Sequence, residues 1–448
     1  MMATAPTVAR PGGARRTAAR VLDSARAPAV ALALAGLVAS GALICLGAAA
    51  RNTTLVPSAR GGFPDWLAGP LPGVGHGLSE PRFCVLLLVM CGCYLAVLAL
   101  GGAVRPAWAI GAVVALHLLF VLAPPLLSAD IFGYIDWGRL GAIHHLDPYS
   151  HGAPDAPHDP AFGFMRWSSN LPSPYGPTFT LFTYAIAPLS LSASLWILKG
   201  AAGLASLGCL ALVWACARRL GRSPVRAVLF VGLNPLLLVY ELGGGHNDMF
   251  FMLFVMVALY LSLRLRESAA SGAIVAAASV KASAGLLLPF TVLAARDRRA
   301  AIKGAVIAAL GFAVVMVIAF GGDALGFLRT LRSQQQSVAL LSVPSRLSHW
   351  LGLGNHIPGA FRALAIAIFL VTLVWMLWRT AREREWVVPA GWTTFALLVT
   401  SAWLLPWYVV WVLPLAALGD DRRLRLATLA LCAFIVGTHV PIWLAMPG

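Results

Sequence analysis

The sequence predicts an all-α, polytopic membrane protein. Three observations predict it. Of 448 residues, 59% are hydrophobic and only 11% are charged, and the mean hydropathy is +0.81. The apolar runs are about 20 residues long and lack the period-two alternation of a barrel strand. Short basic clusters separate the runs. A water-soluble globule of this size cannot hide so much apolar surface with so few charges. A disordered chain needs the opposite composition. The formal net charge of +16 would suggest nucleic acid in a soluble protein. Here it reads as cytoplasmic loops obeying the positive-inside rule, and no nucleic-acid partner is expected. The seven cysteines lie inside or at the ends of apolar runs and read as small apolar fillers, without a disulfide framework or a metal.

The elements follow in order. Residues 1–26, rich in Ala and Arg, form a basic cytoplasmic tail without fixed structure; 27–446 form a single transmembrane domain. The first span is 27–49, too long for a signal-peptide core. Spans at 83–103 and 106–126 turn at Arg105. Parity then places 128–191 outside as a large polar, aromatic, proline-rich loop. Its weakly apolar piece 176–190 reads as a helix lying near the surface, because a crossing there would put Arg218, Arg219, Arg222 and Arg226 outside. Spans follow at 192–217, 225–240 and 248–266. Segment 268–293 lies between two basic clusters, so it returns as a short re-entrant hairpin with Lys281 near its apex. Spans at 300–320, 359–378, 387–403, 404–418 and 425–445 complete the path, with a second outer loop at 321–358. The total is about eleven full spans plus the hairpin, about thirteen helices. Roughly two thirds of the Lys and Arg fall inside on this path, as orientation requires. The acids and histidines concentrate outside, so any chemistry belongs on the extracytoplasmic face of the plasma membrane.

Asp130 follows directly on an apolar run ending Pro124-Pro125-Leu126-Leu127. A carboxylate at the interface, partly dehydrated, suits general-base work on a sugar hydroxyl; capping of an interfacial helix with Ser128 is the alternative. Tyr134 shares its helical face at i+4, whereas Asp136 points elsewhere and can pair with Arg139 at i+3. One base suffices for one class of reaction. A glycosidase needs a second carboxyl group to protonate its leaving group; a lipid-phosphate leaving group needs cations instead. Lys281, Arg329, Arg332 and Arg346 are the outer cations available. Lys281 is the most informative, because a lysine in a short apolar segment calls for a partner. The run Gly243-Gly244-Gly245-His246-Asn247-Asp248 opens a span and reads as a polar rim for a sugar or as a helix cap. His349 lies with Arg346 in the second outer loop. Tyr175, Trp407, Tyr408 and Trp411 can stack on sugar rings or serve as an interface belt. The histidines of the first outer loop fit no metal-ligand spacing.

Several of these motifs together resemble a known family. Asp130-Ile131-Phe132-Gly133-Tyr134, Leu146-Asp147-Pro148-Tyr149, Pro174-Tyr175-Gly176-Pro177, Gly244-Gly245-His246-Asn247-Asp248, Lys281-Ala282-Ser283 and Pro406-Trp407-Tyr408 are similar, in order and spacing, to the actinobacterial polyprenol-phosphomannose-dependent α-1,6-mannosyltransferases. The resemblance implies a GT-C fold, a polyprenyl-phosphate sugar donor, an acid in the first large outer loop as catalytic base, here Asp130, and inversion at the anomeric carbon. The resulting expectation is transfer of a hexose, mannose by the resemblance, to a glycolipid or polysaccharide acceptor. Tyr134, Asp136, Tyr175, His246, Asn247, Asp248, Trp407 and Tyr408 would contact sugar, and Lys281, Arg329, Arg332, Arg346 and His349 the phosphate or sugar. No cofactor is required, and a divalent ion is left open. The alternatives are a polyprenyl-diphosphate-linked glycan ligase or polymerase, and a lipid or sugar flippase without covalent chemistry. The flippase would want polar residues spread through the membrane, whereas here they gather on one face.

Overall fold

The computed structural model describes residues 12–50, 55–56, 63–75, 77–100, 104–164, 171–326, 330, 337–354 and 357–445. Among them every regular element is helical. Arg329 and Arg332 lie outside the described residues, as do residues 1–11 of the basic tail.

Helix α1 runs Gly12–Ala48. It begins well inside the segment expected to lack structure. Ala and Arg, which dominate residues 14–26, are among the best helix formers, so the span continues backwards as helix. Helices α2 (Glu80–Ala99) and α3 (Pro106–Leu122) pack against it. Both start with Pro in the first turn, where a missing N–H leaves no bond unmade. Helix α4 (Asp130–Ala142) and α5 (Pro177–Ile186) lie in the segment expected as the first outer loop. With ten residues, about 15 Å, α5 is too short to cross a bilayer core of about 30 Å. Helix α6 (Leu191–Arg219) follows.

The next element departs from a plain span. Helix α7 (Pro224–Gly232) meets a π-helical segment, Leu236–Leu242, at a 50° bend. Pro235 has no N–H to donate, and the Asn234 side chain replaces the lost continuity by accepting from Leu236 N–H at 3.0 Å. All seven residues of the π segment are buried, Glu241 completely. Helices α8 (Asp248–Ser262), α9 (Glu267–Val280), α10 (Leu288–Ala294) and α11 (Arg298–Phe320) follow. Between α9 and α10 the chain breaks at Lys281, where the backbone is extended, so neither arm alone is as long as a bilayer core is thick.

Helix α12 (Val343–Trp350) precedes α13 (Gly359–Glu383), whose apolar side chains, such as Val371 at 69% exposed, face outward as bilayer-facing residues do. Residues 387–418, expected as two full spans, form instead α14 (Val387–Thr400), an extended turn, a 3-10 segment Pro406–Trp411 and the six-residue α15 (Leu413–Leu418). Pro406 and Pro414 interrupt the helical bonding there. Helix α16 (Arg422–Ala445) ends the fold. Among the described residues, five helices are long and apolar enough to cross a membrane, six if the bent pair counts as one. The remaining apolar helices are shorter, and the broken ones converge on one buried polar region.

Candidate active site

The polar region is assembled by three chain breaks meeting. The first is 123–129, between α3 and α4. Leu126 N–H donates to Gly243 C=O at 2.9 Å and Leu127 N–H to Leu55 C=O at 2.8 Å. Leu127 takes a left-handed φ of 60°, uncommon for a leucine, and the next turn starts α4 with Asp130. Ser128 Oγ accepts from Asp130 N–H at 3.2 Å. The Asp130 side chain is 13% exposed and faces His246, with Oδ2 3.3 Å from Nδ1.

The second break is Gly243–Asn247. Gly245 has a left-handed φ of 72°, which favours glycine, and its lack of a side chain lets the turn sit against Ile131 of α4. His246 is fully buried and lies flat on Trp407, with ring centroids 3.6 Å apart. Asn247 is equally buried, and its amide has no protein partner among the described residues. Of the two readings of this run, side-chain capping by Asn247 or Asp248 is absent: Glu241 Oε1 accepts from Met249 N–H at 2.9 Å instead. That frees Asp248 to bind Lys281, with Oδ1 2.7 Å from Nζ, and to accept from Trp411 Nε1–H.

The third break carries Lys281. Its ammonium stands 4.6 Å from the Tyr408 ring centroid and 5.1 Å from that of Trp411, within cation–π range. Gly176 fixes this break against the segment that leads into α5: its N–H donates to Val280 C=O at 3.0 Å. A Cβ at 176 would fall 2.1 Å from Ser279 O, an impossible approach.

The first and third breaks border one cavity of about 420 Å³, with Asp130, Tyr175, Lys281, Ser401, Tyr408 and Trp411 in its wall; His246, Asn247, Asp248 and Trp407 stand behind that wall and do not line it. The wall therefore offers a carboxylate, an ammonium and, with Trp403, four aromatic side chains. Tyr134 lies behind it, buried, accepting from the Tyr175 hydroxyl at 3.3 Å. Asp136 does not face the cavity. It is 1% exposed, and its expected pairing with Arg139 is absent: Arg139 Nε donates to Asp159 Oδ1 at 2.9 Å, and His144 Nε2 approaches Oδ2 at 2.7 Å. An extra acid, Asp159, outcompetes the i+3 neighbour because two basic groups converge on it. Burial, reinforced by Asp159, pushes the Asp136 carboxyl up to about 7. Arg346 and His349 lie on α12 and contribute nothing to the wall; the Arg346 guanidinium sits over Trp350 instead, at 5.8 Å, and His349 is exposed.

Two charged residues here escaped the sequence reading. Lys199 of α6 is fully buried and donates to the carbonyls of Leu242 and Gly243 at 3.1 and 2.8 Å, holding the Gly243–Asn247 turn from behind. Glu241 caps α8 as described. Both are ionisable groups within apolar runs, and the rule that singled out Lys281 applies equally to them.

Residues 30–297 match the model of a family described as alpha-(1->6)-mannopyranosyltransferase, N-terminal domain, and residues 338–442 match that of the MptB C-terminal domain. Alpha-(1->6)-mannopyranosyltransferase A of Mycobacterium tuberculosis is 30% identical over 351 residues, covering 72% of this chain and 67% of that protein. Alpha-(1->6)-mannopyranosyltransferase B of Corynebacterium glutamicum is 28% identical over 372 residues, covering 73% and 61%. The chain thus matches only about two thirds of the length of these relatives, or less. No solved structure matches it. With three converging chain breaks placing an acid and a lysine in one aromatic-lined cavity, and a family model covering more than half its length, the chain belongs to the alpha-(1->6)-mannopyranosyltransferase family.

Proposed function

We propose that the protein transfers a mannosyl residue from a polyprenyl-phosphate donor to a hydroxyl of a glycan or glycolipid acceptor, on the extracytoplasmic face of the membrane. The observation that carries this reading is the sharing of one cavity wall by Asp130 and Lys281, with aromatic faces between them. Asp130 takes the proton from the acceptor hydroxyl, whose oxygen attacks the anomeric carbon. The bond from that carbon to the phosphate oxygen breaks, and its electron pair stays on the phosphate. Single displacement inverts the centre, so an α-linked product calls for a β-linked donor. Lys281 is already held by Asp248, yet an ammonium has three N–H donors, and the remaining ones reach toward the leaving phosphate. His246, stacked on Trp407, stands beside Asp130 with Nδ1 3.3 Å from Oδ2, and in its protonated form would favour the carboxylate.

The test is product analysis. Purified protein in vesicles receives polyprenyl-phosphomannose and a short α-mannan acceptor, and the products are read by mass and linkage. The expected product is the acceptor extended by one hexose, with release of polyprenyl phosphate. Transfer from a polyprenyl diphosphate donor alone would favour the ligase reading, and movement of intact lipid without product would favour the flippase.

A further inference from the structure

A second cavity, of about 510 Å³, lies apart from the one described and shares no lining residue with it. It is formed where α7 and α16 begin, beside the C-terminal part of α2. Four guanidinium groups line it, those of Arg222, Arg226, Arg422 and Arg425, against one carboxylate, Asp420. Asp420 neutralises little: its side chain is 92% exposed and stands 3.9 Å from Arg222. Arg226 and Arg422 have no acidic partner among the described residues, and Arg425 donates to the Gly419 carbonyl at 3.1 Å. The starts of two helices, one of nine and one of 24 residues, open on the same space, but Ser223 Oγ already accepts from Arg226 N–H and Asp421 Oδ1 from Arg423 N–H, so the guanidinium groups supply the positive charge.

The rest of the lining is apolar. Leu229 and Phe230 are buried at its base, and Leu426, 52% exposed, lies on the same helix as Leu429 along its side. A neighbouring cavity of about 260 Å³ shows that the charge surplus is local. There Arg222 and Arg379 meet Glu383, Glu385, Asp420 and Asp421, and Arg379 is bound to Glu383 at 3.0 Å. Concentrated positive charge at one end of an apolar bundle marks the cytoplasmic end.

We propose that the first cavity is a binding site for an anionic phospholipid of the inner leaflet. Its phosphate is held by Arg226, Arg422 and Arg425 at the two helix starts, and an acyl chain lies along Leu426 and Leu429. A soluble phosphate would use the charges and leave the apolar flank exposed; a zwitterionic lipid would use the flank but bring its own cation against the guanidinium groups. A lipid of net negative charge uses both.

The experiment places the full chain in nanodiscs of phosphatidylcholine containing a minor fraction of phosphatidylglycerol, and measures retained phosphatidylglycerol by native mass spectrometry after detergent release. Wild type retains it. Arg226→Gln/Arg425→Gln retains it roughly thirtyfold more weakly, the factor that two surface guanidinium–lipid attractions contribute. Leu426→Trp, which obstructs the apolar flank without changing charge, also weakens retention and decides the matter if the arginine variant fails to elute as a folded species. Arg296→Gln/Arg299→Gln, in a different basic loop, binds as wild type. Unchanged retention in the Leu426 variant, equal loss in the Arg296/Arg299 control, or displacement of the lipid by soluble glycerol phosphate would overturn the site.

Discussion

Replacing Lys281 by Met separates the structural from the chemical role of the cation. Lys281 is bound to Asp248 at 2.7 Å, and the Asp248 side chain is 1% exposed. Glu241, fully buried, stands close enough to both to interact electrostatically. Removing the ammonium leaves Asp248 with the Trp411 indole N–H as its remaining side-chain donor, beside a second carboxylate. Removing one partner of a buried pair destabilises by about 3–5 kcal/mol, because the other charge is left uncompensated. Loss of the cation–π contacts to Tyr408 and Trp411 adds to this in the same direction. Lys281→Met/Asp248→Asn removes both charges, keeps the amide as an acceptor for Trp411, and should return most of that loss. Stability is read by thermal unfolding in detergent, and chemistry by transfer from polyprenyl-phosphomannose. The expected pattern is a large drop in unfolding temperature for the single variant, recovery in the double variant, and transfer below detection in both. A double variant that regains transfer along with stability would refute Lys281 as the phosphate's partner. A single variant as stable as wild type would refute the buried pair.

Asp130→Asn should lower the transfer rate by about 10²–10⁴, the range for a lost general base, with the unfolding temperature nearly unchanged, since the amide can still face His246; transfer within tenfold of wild type would remove Asp130 as base. Gly176→Ala should destabilise by more than about 1 kcal/mol, because Ser279 O lies where the methyl must go; thermal unfolding checks it. Asp136 is raised to about 7, so the folded protein holds a proton there that the unfolded chain has released. That stabilisation is complete below the ordinary carboxylate range and is lost as pH climbs through about 7. Asp136→Asn should therefore gain on wild type by roughly 3 kcal/mol between about pH 5 and pH 8, and parallel unfolding curves across that range would disprove the shift. Lys199→Met leaves the carbonyls of Leu242 and Gly243 without their ammonium and should weaken transfer through a displaced His246, seen as a fall in kcat larger than any change in KM.

Composition and charge made the all-helical membrane architecture legible, because apolar runs and basic clusters are properties of the chain itself. The break at Lys281 was legible for the same reason: two basic clusters flanking too short an apolar run leave room for little else. Residues 387–418 were misread as two full spans. Hydropathy does not register that Pro406 and Pro414 interrupt backbone bonding within a continuously apolar stretch. The grouping of Asp130, Lys281, Tyr175 and Tyr408 was anticipated through motifs. Its cause was not, since Leu126 bonding to Gly243 and Gly176 bonding to Val280 are contacts between distant segments that no local pattern encodes. The Asp136–Arg139 pair failed because local spacing cannot see Asp159, which lies 20 residues away from Arg139.

The backbone contact at Gly176 also constrains any attempt to redesign the protein. Tyr175 and Lys281 belong to segments about a hundred residues apart, yet the hydrogen bond from Gly176 to Val280 and the forbidden volume at Ser279 lock those segments in one relative position. Grafting the proline-rich segment of a homologue without its partner segment would leave this joint to whatever residues meet there by chance. Residues 171–177 and 279–283 form a single interchangeable cassette, and a chimera must import both halves together.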